Sequence, residues 1–154
     1  MDFDRLLELF ASLHRNEVEY ILVGGVAVNF HGIQRMTEDV DLFLKADEAN
    51  VCRLKKALHD VFDDVSIDEI TAQDLSGDYP TIRYFPPDDS LIIDLICRLG
   101  EAVKFTDLDF ETILVESVPV RVAAPRTLIF MKKDTIRPKD RADADHLRRK
   151  FNLD

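Results

Sequence analysis

The spacing of apolar side chains changes along the first third of the chain and predicts a different element in each stretch. Between Asp2 and Asn16 they recur every three or four positions, which predicts an amphipathic helix. Residues 18–23 are rich in β-branched and aromatic side chains and predict a strand, as do residues 40–44. A short helix over residues 26–31 is expected between these two strands.

The middle of the chain begins with a second helical stripe and then loses its regularity. Apolar residues from Val51 to Phe62 fall at helical spacing, and Asp47 is placed to cap that helix. Short strands are predicted over residues 66–70 and 81–85, with a turn-rich segment between them. Hairpins or an extended meander fit this part best.

The last third predicts three strands and then helices. Residues 91–97 form an apolar run typical of a buried strand, and residues 112–116 and 118–122 read as a pair around a tight turn. Pro125 suits the first turn of one helix, and Pro138 precedes another. The pattern predicts an α+β fold, a mixed β-sheet flanked by helices. We expect one domain over residues 1–154, in which 125–154 form a helical C-terminal segment packed on the rest.

Composition narrows the class of protein. The chain has 154 residues, 46% of them hydrophobic, and a formal net charge of −10, which disfavours a general charge-driven grip on nucleic acid. Basic residues nevertheless crowd the last quarter: Lys132, Lys133, Arg137, Lys139, Arg141, Arg148, Arg149 and Lys150. Cys52 and Cys97 lack metal-ligand spacing, and no apolar run approaches the ~20 residues of a membrane span. We therefore expect a cytoplasmic protein without a membrane partner.

Three carboxylates carry the candidate chemistry. Asp39 and Asp41 are one residue apart on a predicted strand, so both side chains point to the same face and repel each other unless a cation lies between them. Asp94 stands alone in an apolar strand, where an unpaired charge is costly. Because a divalent metal would relieve both problems, we expect all three aspartates to share one site.

The order of these residues resembles a known superfamily. An apolar strand, Gly24-Gly25, a short helix, Asp39-Val40-Asp41 and a later single aspartate resemble nucleotidyltransferases with the DNA polymerase β-like fold. The stretch from Arg35 to Leu42 looks like the Arg-x-Thr-x-Asp-apolar-Asp version found in small prokaryotic nucleotidyltransferases. These include AbiEii-type toxins of toxin-antitoxin systems and antibiotic nucleotidyltransferases. The tail from Leu128 to Asp143 resembles their Lys and Arg-x-Lys-Asp elements.

The resemblance implies a role for each motif residue. Asp39 and Asp41 would hold two Mg²⁺ ions, or Mn²⁺ in their place. Asp94 would complete the ligands of the second ion beside the acceptor hydroxyl and act as general base. Nucleotide contacts fall to the residues of the two motifs and the tail, namely Gly24, Gly25, Arg35, Thr37 and Lys132. Family members often carry serine where this chain has Gly25, and Arg35 is expected to replace that lost phosphate contact.

The implied activity is transfer of a nucleoside monophosphate from an NTP to an acceptor hydroxyl, with release of pyrophosphate. RNA such as a tRNA end, or a protein hydroxyl, is the expected acceptor, with a cognate antitoxin or toxin as partner. An aminoglycoside-type antibiotic is an alternative acceptor, for which Asp88 and Asp89 would have to line the cleft. A second alternative is a catalytically silent module that binds a nucleotide or a partner protein.

Overall fold

The computed structural model describes residues 1–76, 81–99, 103–132 and 138–153. The described helices are α1 (Phe3–Arg15), α2 (Gly24–Phe30), α3 (Glu48–Phe62), α4 (Ala72–Leu75), α5 (Pro125–Lys132) and α6 (Pro138–Phe151). Single 3₁₀ turns lie at Val65–Glu69 and Phe105–Asp107. The described strands are β1 (Tyr20–Val23), β2 (Val40–Leu44), β3 (Thr81–Tyr84), β4 (Ile93–Ile96), β5 (Arg98–Leu99), β6 (Val103–Lys104), β7 (Phe110–Val115) and β8 (Val118–Ala123).

Six of these strands form one mixed sheet in the order β3-β4-β2-β1-β8-β7. Strand β2 runs antiparallel to β1 and parallel to β4, while β3 runs antiparallel to β4. Strands β5 and β6 form a separate small ribbon. Helices α1 and α3 pack against each other, and so do α5 and α6. The prediction of an α+β fold with a mixed sheet and flanking helices is confirmed.

The helix ends follow the capping rules on which the predictions rested. The Asp47 side chain accepts a hydrogen bond from the Asn50 amide at 2.7 Å, so α3 begins where its cap was predicted. In the same way, Asp2 caps α1 by accepting from the Arg5 amide. Helix α5 begins at Pro125, as predicted. Helix α6 begins at Pro138 itself, which was predicted to precede it.

One predicted strand is wrong. Residues 66–70 were expected to be extended, but Val65–Glu69 form a 3₁₀ helix. The Asp64 carboxylate accepts hydrogen bonds from both the amide and the hydroxyl of Ser66, which turns the chain at the point where a strand would begin. This local capping outweighs the preference of Val65 and Ile67 for an extended backbone.

The hydrophobic core lies between the sheet and its helices, and it fixes the strands that carry the carboxylates. Val40, Leu42 and Ile93 are completely buried, so the apolar residues around Asp41 and Asp94 anchor β2 and β4. Pairing of β2 with β4 then sets the relative position of the two aspartates, because shifting a strand by one residue would expose this apolar set. Among the described residues, no helix is both long and apolar enough to cross a bilayer.

Candidate active site

The three predicted carboxylates lie together at one end of the sheet. Asp39 directly precedes β2, Asp41 is its second residue, and Asp94 is the second residue of β4. Asp41 and Asp94 are direct partners in the parallel pairing of the two strands. Val40 is fully buried between the two partly exposed aspartates of its motif, as the alternation of side chains predicts.

These carboxylates line a cleft of about 590 Å³. Its described lining consists of Gly24, Gly25, Arg35, Met36, Thr37, Glu38, Asp39, Asp41, Arg83, Asp94, Ile96 and Asp140. The structure therefore brings together every predicted site residue except Lys132, whose side chain lies outside the described part of the chain. Arg137 of the tail motif also lies outside the described residues, whereas Asp140 of that motif is in the first turn of α6.

The two glycines allow other side chains to approach the backbone. Gly24 has φ +72°, a left-handed conformation that favours glycine, and a β-carbon there would overlap the Asp41 carboxylate. At Gly25 a β-carbon would overlap the Arg35 guanidinium and lie 2.9 Å from the Thr37 hydroxyl oxygen. The guanidinium thus fills the space that a serine side chain at position 25 would need.

Arg35 is held in this position from two directions. Its Nε lies 3.0 Å from the Asp143 carboxylate of α6, and the Asp143 side chain is only 4% exposed. Its backbone amide donates a hydrogen bond to the side-chain oxygen of Asn29 on α2 at 2.9 Å. Thr37 closes the same segment, because its hydroxyl donates to the Asp39 carbonyl at 3.2 Å. Helix α6 therefore fixes a cationic side chain of the cleft.

Arg83 of β3 is the functional candidate that the sequence analysis missed. Its Nε donates to Asp94 Oδ1 at 2.9 Å, and its Nη2 donates to Asp94 Oδ2 at 3.2 Å and to Asp39 Oδ2 at 2.9 Å. The Asp94 hydrogen bonds and charge, followed by the charge of Asp39, raise the pKa of Arg83 above its ordinary value. The missing signal was the pairing of Arg83 with Asp94 across β3 and β4, which a single strand does not reveal.

The donor set has the chemistry of a Mg²⁺ site, because all three side chains offer carboxylate oxygens. Asp39 and Asp94 also lie close enough together to contact the same positive charge, the Arg83 guanidinium. Within the described chain, however, no three histidine, cysteine or acidic side chains form a cluster that could hold a metal ion as they stand. Asp39 and Asp94 are hydrogen-bonded to the Arg83 guanidinium instead.

Comparisons with known proteins give the family. The family described as nucleotidyl transferase AbiEii toxin, type IV TA system, matches residues 5–154. Neither the comparison with curated proteins nor that with solved structures found a match. Because the family match spans nearly all of the chain, from α1 to the end of α6, this protein belongs to the AbiEii nucleotidyl transferase toxin family.

Proposed function

We propose that this protein transfers a nucleoside monophosphate from an NTP to an acceptor hydroxyl, releasing pyrophosphate, and that the cleft around Asp39, Asp41 and Asp94 performs the reaction. One observation carries the proposal. Three carboxylates, two on the paired strands β2 and β4 and one directly before β2, meet two arginines and a pair of glycines in the described lining of a single cleft. The chain that carries this cleft belongs to a nucleotidyltransferase family.

The negative charge of the cleft implies that divalent cations bind together with the nucleotide. Five acidic side chains line its described part, namely Glu38, Asp39, Asp41, Asp94 and Asp140, against the two arginines Arg35 and Arg83. A triphosphate would be repelled by this lining unless divalent cations came with it. Mg²⁺, held by Asp39, Asp41 and Asp94, would supply that charge and polarise the reacting oxygens.

The chain's own residues would bind and orient the reactants. Gly24 lets the backbone approach the phosphates, and Arg35 offers them a planar guanidinium in the space left by the absent serine side chain. Asp94 would accept the proton of the acceptor hydroxyl as its oxygen attacks the α-phosphorus and the bond to pyrophosphate breaks. Since the side chain of Asp94 is 10% exposed, this base would act at the inner wall of the cleft.

The surface supports RNA as acceptor better than an aminoglycoside. Asp140 of α6 lines the cleft, and Arg148, Arg149 and Lys150 follow in the last turn of the same helix, about 12–15 Å away at 1.5 Å per residue. A strand of RNA with its terminal hydroxyl in the cleft could reach this basic turn. Asp88, whose presence in the cleft would favour a cationic acceptor, is instead paired with Arg5 at 2.7 Å and is absent from the described lining.

Label transfer tests the proposal. The purified protein is incubated with Mg²⁺, each α-labelled NTP in turn, and RNA, cell protein extract or aminoglycosides as acceptor. We expect label on RNA, and a loss of at least about a hundredfold with Asp94→Asn, the size of general-base effects. Asp145→Asn, which removes the same charge from an exposed position of α6, should retain activity.

The outcomes separate the alternatives. Label on an aminoglycoside or on protein would change the acceptor class but keep the reaction. A lack of label on every acceptor, with nucleotide binding intact, would contradict the transferase proposal and favour the silent nucleotide-binding module. Circular dichroism of Asp94→Asn checks that its loss of activity is not a loss of fold.

A further inference from the structure

Arg83 contacts the same carboxylates that the proposed function assigns to a metal. Its guanidinium is hydrogen-bonded to Asp94 through two nitrogens and to Asp39 through one. A carboxylate oxygen that accepts from a guanidinium points a lone pair at it, and that lone pair cannot bind a metal at the same time. A divalent ion bound by Asp39 and Asp94 would also be repelled by a guanidinium that remained in place.

The side chain of Arg83 is free to leave these partners. It lines the cleft and is 51% exposed, so its charge can be solvated in another rotamer at little cost. The other arginine of the cleft, Arg35, is 17% exposed and lies against a buried aspartate, so it cannot leave its position as cheaply. Of the two arginines, Arg83 is therefore the one able to change partners.

Building on the proposed function, we infer that Arg83 has two positions: it neutralises Asp39 and Asp94 in the free protein, and it binds the triphosphate once metal has taken those carboxylates. The displaced guanidinium stays in a cleft that has just received a polyanion. Its planar fork fits phosphate oxygens as well as carboxylate oxygens. Arg83 is thus a competitor of the metal alone and a ligand of the metal–nucleotide complex.

This inference predicts effects of opposite sign from one substitution. Arg83→Gln removes the competing charge, so Mn²⁺ alone, measured by the loss of its free electron paramagnetic resonance signal, should bind roughly three- to tenfold more tightly. The same variant loses a phosphate contact, so the α,β-methylene NTPs with Mn²⁺, measured by calorimetry, should bind roughly tenfold more weakly.

Two controls locate the effect. Arg15→Gln removes the same charge from an arginine that is 62% exposed and outside the cleft lining, so it should leave both affinities near those of the parent protein. In an Asp39→Asn background the gain in Mn²⁺ affinity from Arg83→Gln should shrink, because the two residues would no longer be coupled. The gain should also shrink at high ionic strength, which screens exposed charges.

Failure of this inference differs from failure of the proposed function. Mn²⁺ binding that depends on Asp41 but is not tightened by Arg83→Gln would overturn the inference and leave the metal site standing. Tighter binding of both Mn²⁺ and the nucleotide analogues would overturn it as well, because Arg83 would then oppose metal without contacting phosphate. An absence of Mn²⁺ binding in the parent protein and in Arg83→Gln alike would instead remove the proposed function on which it rests.

Discussion

The two arginines in the described lining of the cleft pair with carboxylates in very different surroundings. Arg83 is half exposed and contacts Asp39, directly before β2, and Asp94 of β4, which the proposed reaction also needs. Arg35 is largely buried and contacts Asp143, a residue of α6 that does not line the cleft. Arg83 and its aspartates can each bind a ligand in place of one another, whereas Arg35 and Asp143 have no ligand to replace their contact in the proposed reaction.

Because of this difference, one arginine has a structural role in the site and the other can change its binding partner. A buried ion pair that loses one member leaves an uncompensated charge, so it acts as a fixed part of the site. An exposed pair is weak and screened by salt, so it yields to a stronger ligand. Helix α6 therefore helps to build the cleft, since it supplies the aspartate that positions Arg35.

The largest expected effect comes from breaking the buried pair. Asp143→Ala leaves the Arg35 guanidinium without its partner, and we expect a loss of about 3 kcal/mol in the free energy of unfolding. For a chain of this length that lowers the melting temperature by about 6–12 °C, which calorimetry would detect. Asp145→Ala on the same helix removes an exposed partner of Arg148 and should change little. Equal effects of the two variants would contradict the distinction between the arginines.

The next effect tests whether Arg35 occupies the place of the absent serine side chain. Gly25→Ser would push the guanidinium from its position, and we expect nucleotide affinity to fall about tenfold, equivalent to ~1.4 kcal/mol. Arg35→Ala should cause a similar loss, measured by the same calorimetric titration. Because both changes act through one guanidinium, the double variant should bind no worse than Arg35→Ala alone. Additive losses would mean that the two positions act independently.

A smaller effect concerns the backbone of Arg35. Asn29→Ala removes the side-chain oxygen that accepts from the Arg35 amide, and we expect a destabilisation of about 1 kcal/mol. Asn29→Asp keeps an acceptor oxygen of the same shape and serves as the matched control. Chemical denaturation measures both. A loss as large as that of Asp143→Ala would place the main anchor of Arg35 on α2 instead of α6.

The sequence predicts one half of this site much better than the other, for a physical reason. Asp39 and Asp41 can be identified because two like charges on one strand face repel each other, and Asp94 because a charge among buried apolar neighbours is costly. Arg83 is an ordinary residue in a short edge strand, and its value comes from facing Asp94 across β3 and β4. Asp143 looks like one of several acidic residues on a polar helix until its contact with Arg35 is known. Local patterns reveal the cost of burial, but they do not reveal which distant residue relieves it.

The same limit applies to the fold. Strand β2 has the predicted bounds, because residues 40–44 combine a core-facing run with strand-forming side chains. The prediction for residues 66–70 is wrong because a single carboxylate, Asp64, accepts hydrogen bonds from both the amide and the hydroxyl of Ser66. Whether such a segment forms a local cap or a strand depends on whether another strand is available to pair with it. The availability of a partner strand is a property of the whole chain.

The smallest expected effect concerns the hydrogen bond that holds the end of β3, the strand of Arg83, to Asp64. The Tyr84 hydroxyl donates to Asp64 at 2.9 Å, and the pKa of Asp64 is lowered by the Ser66 hydroxyl first, then by the Ser66 amide and Tyr84. Tyr84→Phe should therefore raise the pKa of Asp64 part of the way to its ordinary value, as measured by carbon-13 titration of the carboxyl group. Ser66→Ala should raise it further, because it removes the largest cause.

The sign of the pH dependence follows from the direction of that shift. A lowered pKa in the folded state stabilises the protein above the unfolded value of about 3.9, and the contribution is lost as the pH falls through the folded value. In Tyr84→Phe this contribution should be smaller, and its loss on acidification should be complete at a higher pH than in the parent protein. The Arg83 Nε resonance should stay unchanged at neutral pH, because pairing of Arg83 with Asp94 in the strand ladder still holds β3 against β4. A shifted resonance would mean that the hydrogen bond between Tyr84 and Asp64 also orients Arg83. Arg83 would then be held more firmly than its exposure indicates, and it would differ less from Arg35.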